Sequence, residues 1–413
     1  MSKKIVLFSL ILGLSLLGSA FSAVENIKVS GDLTTYVGTR YGFDLGIGGD
    51  EADASFLASI ARLKFDADLT EDVSVTLRLI TDKVWGQTVN AASSDVDIDL
   101  AYVTLKNLFD YPLTLKVGKQ EVKIGSGMIV GDPTTNQLAS SDSNLPQTLG
   151  DLDLRKAFDA IVGVVDLSPL TITLGYIKDT EGDLAESDDV DAYAIDLGYN
   201  FEDYNTQAEL YYVLKDAKKS DVGNIGVRVV NSPIENLVLN GEIVYQYAKP
   251  DARADKKHRS DLAAVLAASY TFADQPWRPT LTVGYGYASE NWDPMWEDVT
   301  PANIINNITP NTNARLIGVN ITAQPREDIL LNLRYANVRL VAGTNVFYNA
   351  WGVYSVNPDE KDFGDEVDFS LVYNYTEDVQ LGLNLDYFIP GDVFSDNNDD
   401  DAFQALGSLK ITF

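Results

Sequence analysis

The chain has 413 residues with no cysteine, one histidine, and 61 acidic against 31 basic side chains, a formal net charge of −30. That charge excludes nucleic acid and other polyanions as general partners. The lack of thiols excludes disulfides and thiolate chemistry. Two or three ordinary domains would fit this length, but all-β barrels run as long in one unit and no linker composition interrupts the chain.

The first 23 residues, MSKKIVLFSLILGLSLLGSAFSA, carry Lys3 and Lys4, then an apolar run from Ile5 to about Leu17, then small residues. This is the layout of a secretory signal peptide, and the run is too short for a spanning helix. Cleavage after Ser22 puts Ala20 and Ser22 at the small-residue positions, whereas cleavage after Ala23 puts bulky Phe21 in one of them. The expected division is therefore a signal at 1–22 and a single folded unit at 23–413. Beyond the signal, charged or polar residues interrupt every hydrophobic segment, which excludes a helical membrane protein.

Further along, the stretch LTEDVSVTLRLITD alternates: Val73, Val75, Leu77 and Leu79 fall on one side of an extended chain, and Ser74, Thr76 and Arg78 on the other. Near the C-terminus YTEDVQLGLNLDYF repeats the pattern after the same Thr-Glu-Asp-Val. Short turns recur between such runs: LTEDV, NLFDYP, DLSPL, NFEDYN, NSPIEN, FADQPW, AQPRED and YTEDV. They are rich in Pro, Asp, Asn and Ser, which preset or tolerate turn dihedrals. Longer polar connections fall at about 39–54, 84–94, 120–153, 179–188, 216–220, 249–259, 290–311, 341–364 and 389–400.

Short and long connections alternate throughout, giving eighteen strands with both termini on the short-turn side. The reading is an all-β, antiparallel transmembrane barrel with short periplasmic turns and long extracellular loops. A soluble sandwich or solenoid also alternates, but has no reason to segregate turn lengths between two rims. In the fourth strand Val96, Ile98 and Leu100 set one register and Ala101, Val103 and Leu105 the other, which requires a bulge between them. Tyr373 and Tyr375 before a turn, and Tyr285 and Tyr287 before a loop, suit interfacial girdles. The closing strand places Phe403, Ala405, Leu409, Ile411 and the terminal Phe413 on one face. A terminal Phe on such a strand resembles the assembly signal of bacterial outer-membrane barrels. It implies the barrel-assembly machinery as a partner, with outer-membrane lipid and lipopolysaccharide around the wall.

With apolar faces toward lipid, the opposite faces line a lumen. Its cationic candidates are Arg62, Lys64, Arg78, Lys116, Arg228 and Arg334; its anionic candidates are Asp66, Asp68, Asp159, Asp196, Glu209, Glu242, Asp261, Asp368 and Asp386. Arg62, Lys64 and Arg78 come from adjacent strands and Lys116 from two strands further on. They form either a basic sector that orients solutes or cations that neutralise Asp66, Asp68 and their neighbours.

The segment AYVTLKNLFDYPLTLKVGKQEVKIGSGMIVGDP, followed by RKAFDAIVGVV, resembles the signature region of alginate-export-type outer-membrane porins. The matching positions are Gly118, Lys119, Gln120, Glu121, Gly125, Gly127, Gly131 and Asp132, with Arg155, Phe158 and Asp159. The resemblance implies an eighteen-stranded barrel and a basic conduit, adds Lys119, Glu121 and Arg155 to the substrate-facing candidates, and names Asp159 a second time. The family's exporters are monomers, so a monomer is expected, with a trimer left open. Lys119 stands where the family usually has Arg, and lysine lacks the flat bidentate grip on a carboxylate; the lumen candidates are also more acidic than basic. Porin architecture is thus better supported than alginate as cargo.

The expected function is passive diffusion of small hydrophilic solutes, such as sugars or small anions, across the bacterial outer membrane. The alternatives are a closed structural or adhesive barrel and an exporter of an acidic polysaccharide. The loop from about Glu121 to Asp153 is expected to fold into the lumen as a constriction. No enzyme activity, cofactor or metal is expected. His258 beside Ser260 would be a poorly oriented base in the loop KPDARADKKHRSD, which more readily grips an anion or stays solvated. Trp292 and Trp296, beside Asp293, Glu297 and Asp298, are read as interfacial anchors in preference to a sugar platform. The acidic run from Ser395 to Phe403 lacks the spacing of a calcium loop.

Overall fold

A computed structural model describes residues 26–46, 53–87, 96–181, 189–217, 221–249, 259–309, 311–349, 352–394 and 399–413. The expected signal peptide, His258 and residues 395–398 of the acidic run lie outside them. The strands in chain order are β1 Asn26–Tyr41, β2 Ala54–Thr70, β3 Val73–Val84, β4 Asp97–Leu105, β5 Leu113–Glu121, β6 Ala157–Leu167 and β7 Leu170–Thr180. There follow β8 Val190–Phe201, β9 Thr206–Ala217, β10 Asp221–Ile234, β11 Leu237–Lys249, β12 Arg259–Thr271, β13 Thr280–Ala288, β14 Ala314–Arg326 and β15 Ile329–Leu340. The last are β16 Val346–Asn349, β17 Gly352–Ser355, β18 Asp362–Asn374, β19 Val379–Pro390 and β20 Ala402–Thr412.

Apart from the small β16–β17 hairpin, these strands form one 18-stranded antiparallel sheet. Each strand pairs with its sequence neighbour, β15 pairs with β18 across the hairpin, and β1 pairs with both β2 and β20. The sheet is therefore a closed barrel, as the alternation of turns and loops predicts.

Period-two patterning sets the two faces. In β19, Leu381, Leu383, Leu385, Tyr387 and Ile389 are exposed while Asp386 and Phe388 are buried inside. An apolar band of this kind needs lipid around it. Phe109, Tyr111, Tyr204, Trp277 and Tyr375 are exposed at the short-turn rim, and Trp85, Tyr193, Tyr245, Tyr285 and Tyr335 toward the loops, giving two aromatic girdles.

The repeated Thr-Glu-Asp-Val is the same hairpin solution used twice. In each copy the Asp N–H, of Asp72 or Asp378, donates to the preceding Thr hydroxyl, Thr70 or Thr376, at 3.3 Å. In each the Asp carbonyl accepts from the neighbouring strand or turn, Lys106 N–H at 2.8 Å and Thr412 N–H at 2.9 Å. The hydroxyl mimics a backbone acceptor and closes the turn.

The bulge expected in β4 is present, centred one residue earlier than the apolar pattern suggests. Arg78 faces Leu100 but Leu79 faces Ile98, so Asp99 is the extra residue. Ile98 stays exposed on the outer face while Asp99 and Leu100 both turn inward and are buried.

The inner face differs from the simple expectation of a polar lumen. Toward the short turns it is polar, as with Arg62, Lys64 and Asp66 on β2, but toward the loops it becomes apolar, as with Phe56, Ala58 and Ile60 on the same strand. The reason is that two long loops, 122–156 and 289–313, fold into the barrel and need an apolar bed. Ile129, Val130 and Trp296 pack with Val213, Val244 and Ala263 of the wall. A short helix, α1 Asn303–Ile308, packs Ile304, Ile305 and Ile308 with Ala336, Val338 and Phe388.

At the seam, Gly31 and Phe413 exchange backbone hydrogen bonds of 2.8 and 3.0 Å. A Cβ at Gly31 would lie 2.6 Å from the Arg62 carbonyl oxygen and 2.7 Å from the Phe413 ring. Gly31→Val is therefore expected to lower the fraction of closed barrel, measured as a loss of the compact, fast-migrating band in unheated detergent gels.

Candidate functional site

The inward cations that the sequence singles out are, with one exception, paired. Arg62 pairs with Asp32 at 2.9 Å, Lys64 with Asp66 at 2.9 Å, Arg228 with Glu209 at 3.0 Å and Arg334 with Asp368 at 2.7 Å. Arg78 contacts Asp99 and Glu121, each at 2.5 Å; the β4 bulge is what turns Asp99 toward it. Of the two readings of the basic sector, neutralisation describes these residues. Lys116 differs: it is exposed on the inner face, lies 5.7 Å from the centre of the Tyr102 ring, and has no ion pair among the described residues.

Lys119, which the family resemblance puts at the pore, and Asp159, which the alternation read from the sequence also puts in the lumen, belong to the outer face. They are opposite each other in register, next to the Val117–Ile161 pair, whose side chains are both exposed to the membrane. The alternation of β5 instead turns Gln120 inward, where it is buried and donates to the Ala160 carbonyl at 3.0 Å. Glu121 ends β5 and serves as the second carboxylate of Arg78.

Arg155 is structural as well. Its guanidinium, 8% exposed, meets Asp82, Asp97 and Asp153 at 3.1 Å each, tying the end of loop 122–156 to β3 and β4. These carboxylates raise its affinity for the proton, and removing one partner from such a buried set typically costs about 3–5 kcal/mol. Arg40 on nearby β1 does the same and has no place among the sequence candidates. Fully buried, it pairs with Asp151 at 2.7 Å and donates to Gln404 and the Thr148 carbonyl. Its inward parity in β1 is legible in the alternation, but it falls in the predicted loop beginning at about residue 39.

Loop 122–156 enters the lumen, as expected, and does so in company. Gly125 has φ +58°, and a Cβ there would meet Glu242 Oε1 at 2.4 Å and the Tyr211 ring at 2.8 Å, so only glycine lets the loop reach the wall. Ser126 N–H then donates to Glu242 at 3.0 Å, and Tyr211 donates to the same carboxylate at 2.5 Å. The Gly131 and Asp132 N–H groups donate to the Trp296 carbonyl and Trp296 N–H to that of Ile129, while Lys156 binds Asp298 at 2.5 Å. The two loops are thus one inserted body.

Trp292 and Trp296 are consequently not interfacial anchors. Both are buried inside the barrel; Trp296 donates its indole N–H to Asp179 at 2.8 Å and lies under Lys215, 5.1 Å from its ring centre. Neither ring is free to stack on a sugar.

Glu297 sits at the junction of the loops, accepting from Val299 N–H at 2.6 Å, Asn311 at 3.0 Å and Asn136 at 3.2 Å. It borders a cavity of about 270 Å³ beside loop 289–313, where the inward residues of β13 are Gly284, Gly286 and Ala288. Burial, reinforced by Asp132 and Asp298, pushes its carboxyl up to about 8. Burial likewise raises Asp132. An acid with a raised folded-state pKa holds its proton longer when folded, so stability falls as pH rises from the ordinary carboxylate range to about 8, then levels off. Thermal unfolding between pH 5 and 8.5 is expected to show that decline, and Glu297→Gln to flatten it.

A profile of the family described as alginate export matches residues 197–407. No curated protein matches the chain. Among solved structures, the outer membrane protein OprD from Pseudomonas aeruginosa aligns with a TM-score of 0.61 at 12% identity over 96% of each chain. OpdK from the same organism, solved with vanillate, gives 0.58 at 14% identity over 95% of this chain and 100% of its own. OccK8 (OprE), also from Pseudomonas aeruginosa, gives 0.59 at 12% identity over 94% and 98%. At these identities the likeness is one of fold.

Proposed function

The chain belongs to the alginate export family, and we propose that within it the protein is a passive outer-membrane channel for small hydrophilic solutes, sugars or small anions among them. The observation that carries this is a closed barrel with an apolar outer band, a polar inner wall toward the short turns, and two loops that narrow the lumen without filling that polar end. Passive conduction asks for no covalent chemistry, and none is proposed. Residues 1–22 are proposed as the export signal and the terminal Phe413 as the contact for the barrel-assembly machinery. The working unit is proposed to be one chain, since each barrel closes on itself.

Export of an acidic polysaccharide is the weaker reading. Such cargo needs open guanidinium groups to pass its carboxylates along, whereas Arg62, Arg78, Arg155, Arg228 and Arg334 each already hold a carboxylate. Selectivity then rests on the uncompensated charge in the path, because charges beyond a Debye length of about 8 Å are screened. Lys116 is the best candidate.

Purified protein in planar bilayers is expected to give stepwise conductance, and shortening loop 122–156 to raise the unit step. Folded protein with no conductance at all would favour the closed structural barrel. Lys116→Glu is expected to move the reversal potential in a salt gradient toward cation preference, while Lys119→Glu on the outer face leaves it in place. Equal shifts from both would mean that the effect is one of overall charge and that Lys116 has no special place in the path.

A further inference from the structure

Arg315 and Arg339 are direct cross-strand partners at the loop-side ends of β14 and β15. Parity puts both on the outer face, since Ile317 two residues along from Arg315, and Tyr335 four residues before Arg339, are exposed to the membrane. Both arginines are themselves exposed, and neither has an ion pair or side-chain hydrogen bond among the described residues. Like charges facing each other across a strand pair, with Cβ atoms about 5 Å apart, repel one another. Only one of the two has a carboxylate opposite it on the neighbouring strand, and it forms no ion pair with it. Asp362 is opposite Arg339 without reaching it, and Asp365 is taken by the Tyr335 hydroxyl and the Asn337 amide, at 2.5 and 3.0 Å. By contrast Lys178, on the outer face of β7, holds Glu181 and Asp189 at 2.7 Å each.

Height on the barrel wall says what could neutralise the pair. Tyr287 is the register partner of Arg315, and Tyr285 that of Ile317. The girdle tyrosine Tyr285 therefore lies about 7 Å, two residues of strand rise, below the arginines. Aromatic girdles mark the boundary between acyl chains and headgroups, so the two guanidinium groups stand at the level of the lipid phosphates. A guanidinium offers a planar fork of donors that fits phosphate oxygens, and two of them side by side fit one phosphate ester.

We propose that Arg315 and Arg339 form a binding site for the phosphate of an outer-leaflet glycolipid headgroup. This rests on the outer-membrane reading above and gives one point of the wall a fixed lipid neighbour. Bound phosphate removes the repulsion between the arginines, while the acyl chains lie along the apolar face below them.

The test is native mass spectrometry of the purified full chain in detergent, with lipid A carrying both phosphates and with dephosphorylated lipid A as probes. Wild type is expected to prefer the phosphorylated form. Arg315→Gln/Arg339→Gln is expected to weaken that binding about thirtyfold, which corresponds to about 2 kcal/mol, at roughly 1 kcal/mol for each charge near the surface. Arg315→Lys/Arg339→Lys, which keeps charge but loses the fork, is expected to fall between, and serves if the glutamine variant does not fold. Equal binding of both lipids by wild type, or undiminished binding by the folded glutamine variant, would overturn the proposal. So would displacement of the lipid by an equal concentration of inorganic phosphate, which would make this a site for free anion. Planar-bilayer conductance of the same samples is expected to be unchanged. A preparation that binds phosphorylated lipid but never conducts would count against the channel alone.

Discussion

Lipid offers no hydrogen-bond partner to a peptide group, and from that constraint the rest of this molecule follows. Every strand must give its N–H and C=O groups to a neighbour, so the first strand has to find the last, and β1 pairs with β20 over ten residues from Asp32 to Tyr41. Gly31 and Phe413 extend the seam by one more exchange at its end. Closure leaves each strand with two faces and two solvents. The outer one is fixed as apolar by the bilayer. The inner one is free to carry charge, provided that each charge is answered close by.

How those charges are answered decides what the lumen can do. The chain is strongly acidic, yet its inward arginines do not form an open ladder; they are locked one by one into carboxylates. Arg155 and Arg40 go further and fasten loop 122–156 to the wall formed by β1, β3 and β4 through Asp82, Asp97 and Asp151. Charge in this barrel is used first to hold an inserted body in place. What remains for a solute is the small uncompensated residue of that arrangement, Lys116 among the cations.

The barrel was legible because its signals are local and repeated. Period-two runs, Pro/Asp/Asn turns and alternating connection lengths all report the same architecture, and the bulge in β4 showed itself as a clash of parities between Ile98 and Ala101. The site was less legible, for two physical reasons. First, parity is lost where a strand runs into a loop: Arg40 falls in a predicted loop, the resemblance puts Lys119 inside, and the sequence alternation puts Asp159 inside, although the two face each other on the outer wall beside the lipid-exposed Val117–Ile161 pair. Second, sequence shows which charges share a face but not which carboxylate each one meets. The inward fold of loop 289–313, which buries Trp292 and Trp296, had no signal of its own. Its trace lay in the wall, where β12 and β13 turn Ala263, Ala267, Gly284, Gly286 and Ala288 inward, residues too small to fill a lumen by themselves.

Small wall residues and inserted loops are two halves of one arrangement. A wide eighteen-stranded barrel cannot be packed by side chains alone, so the wall thins to glycine and alanine on one side and two loops supply the missing volume. The fit is tight where Gly125 meets Glu242 and Tyr211, and loose around Glu297, where the cavity of about 270 Å³ remains. Loop 122–156 is anchored to the wall by buried ion pairs at both Arg40 and Arg155, whereas loop 289–313 meets the wall through apolar contacts and hydrogen bonds, Ile304 and Ile305 N–H to Glu366 and Asn303 to Asp386, and is tied to its neighbour by Lys156–Asp298. The two loops therefore divide the means of attachment, charge pairs for the first and backbone and amide donors for the second, and the cavity beside Glu297 is where their packing against the thinned wall is incomplete.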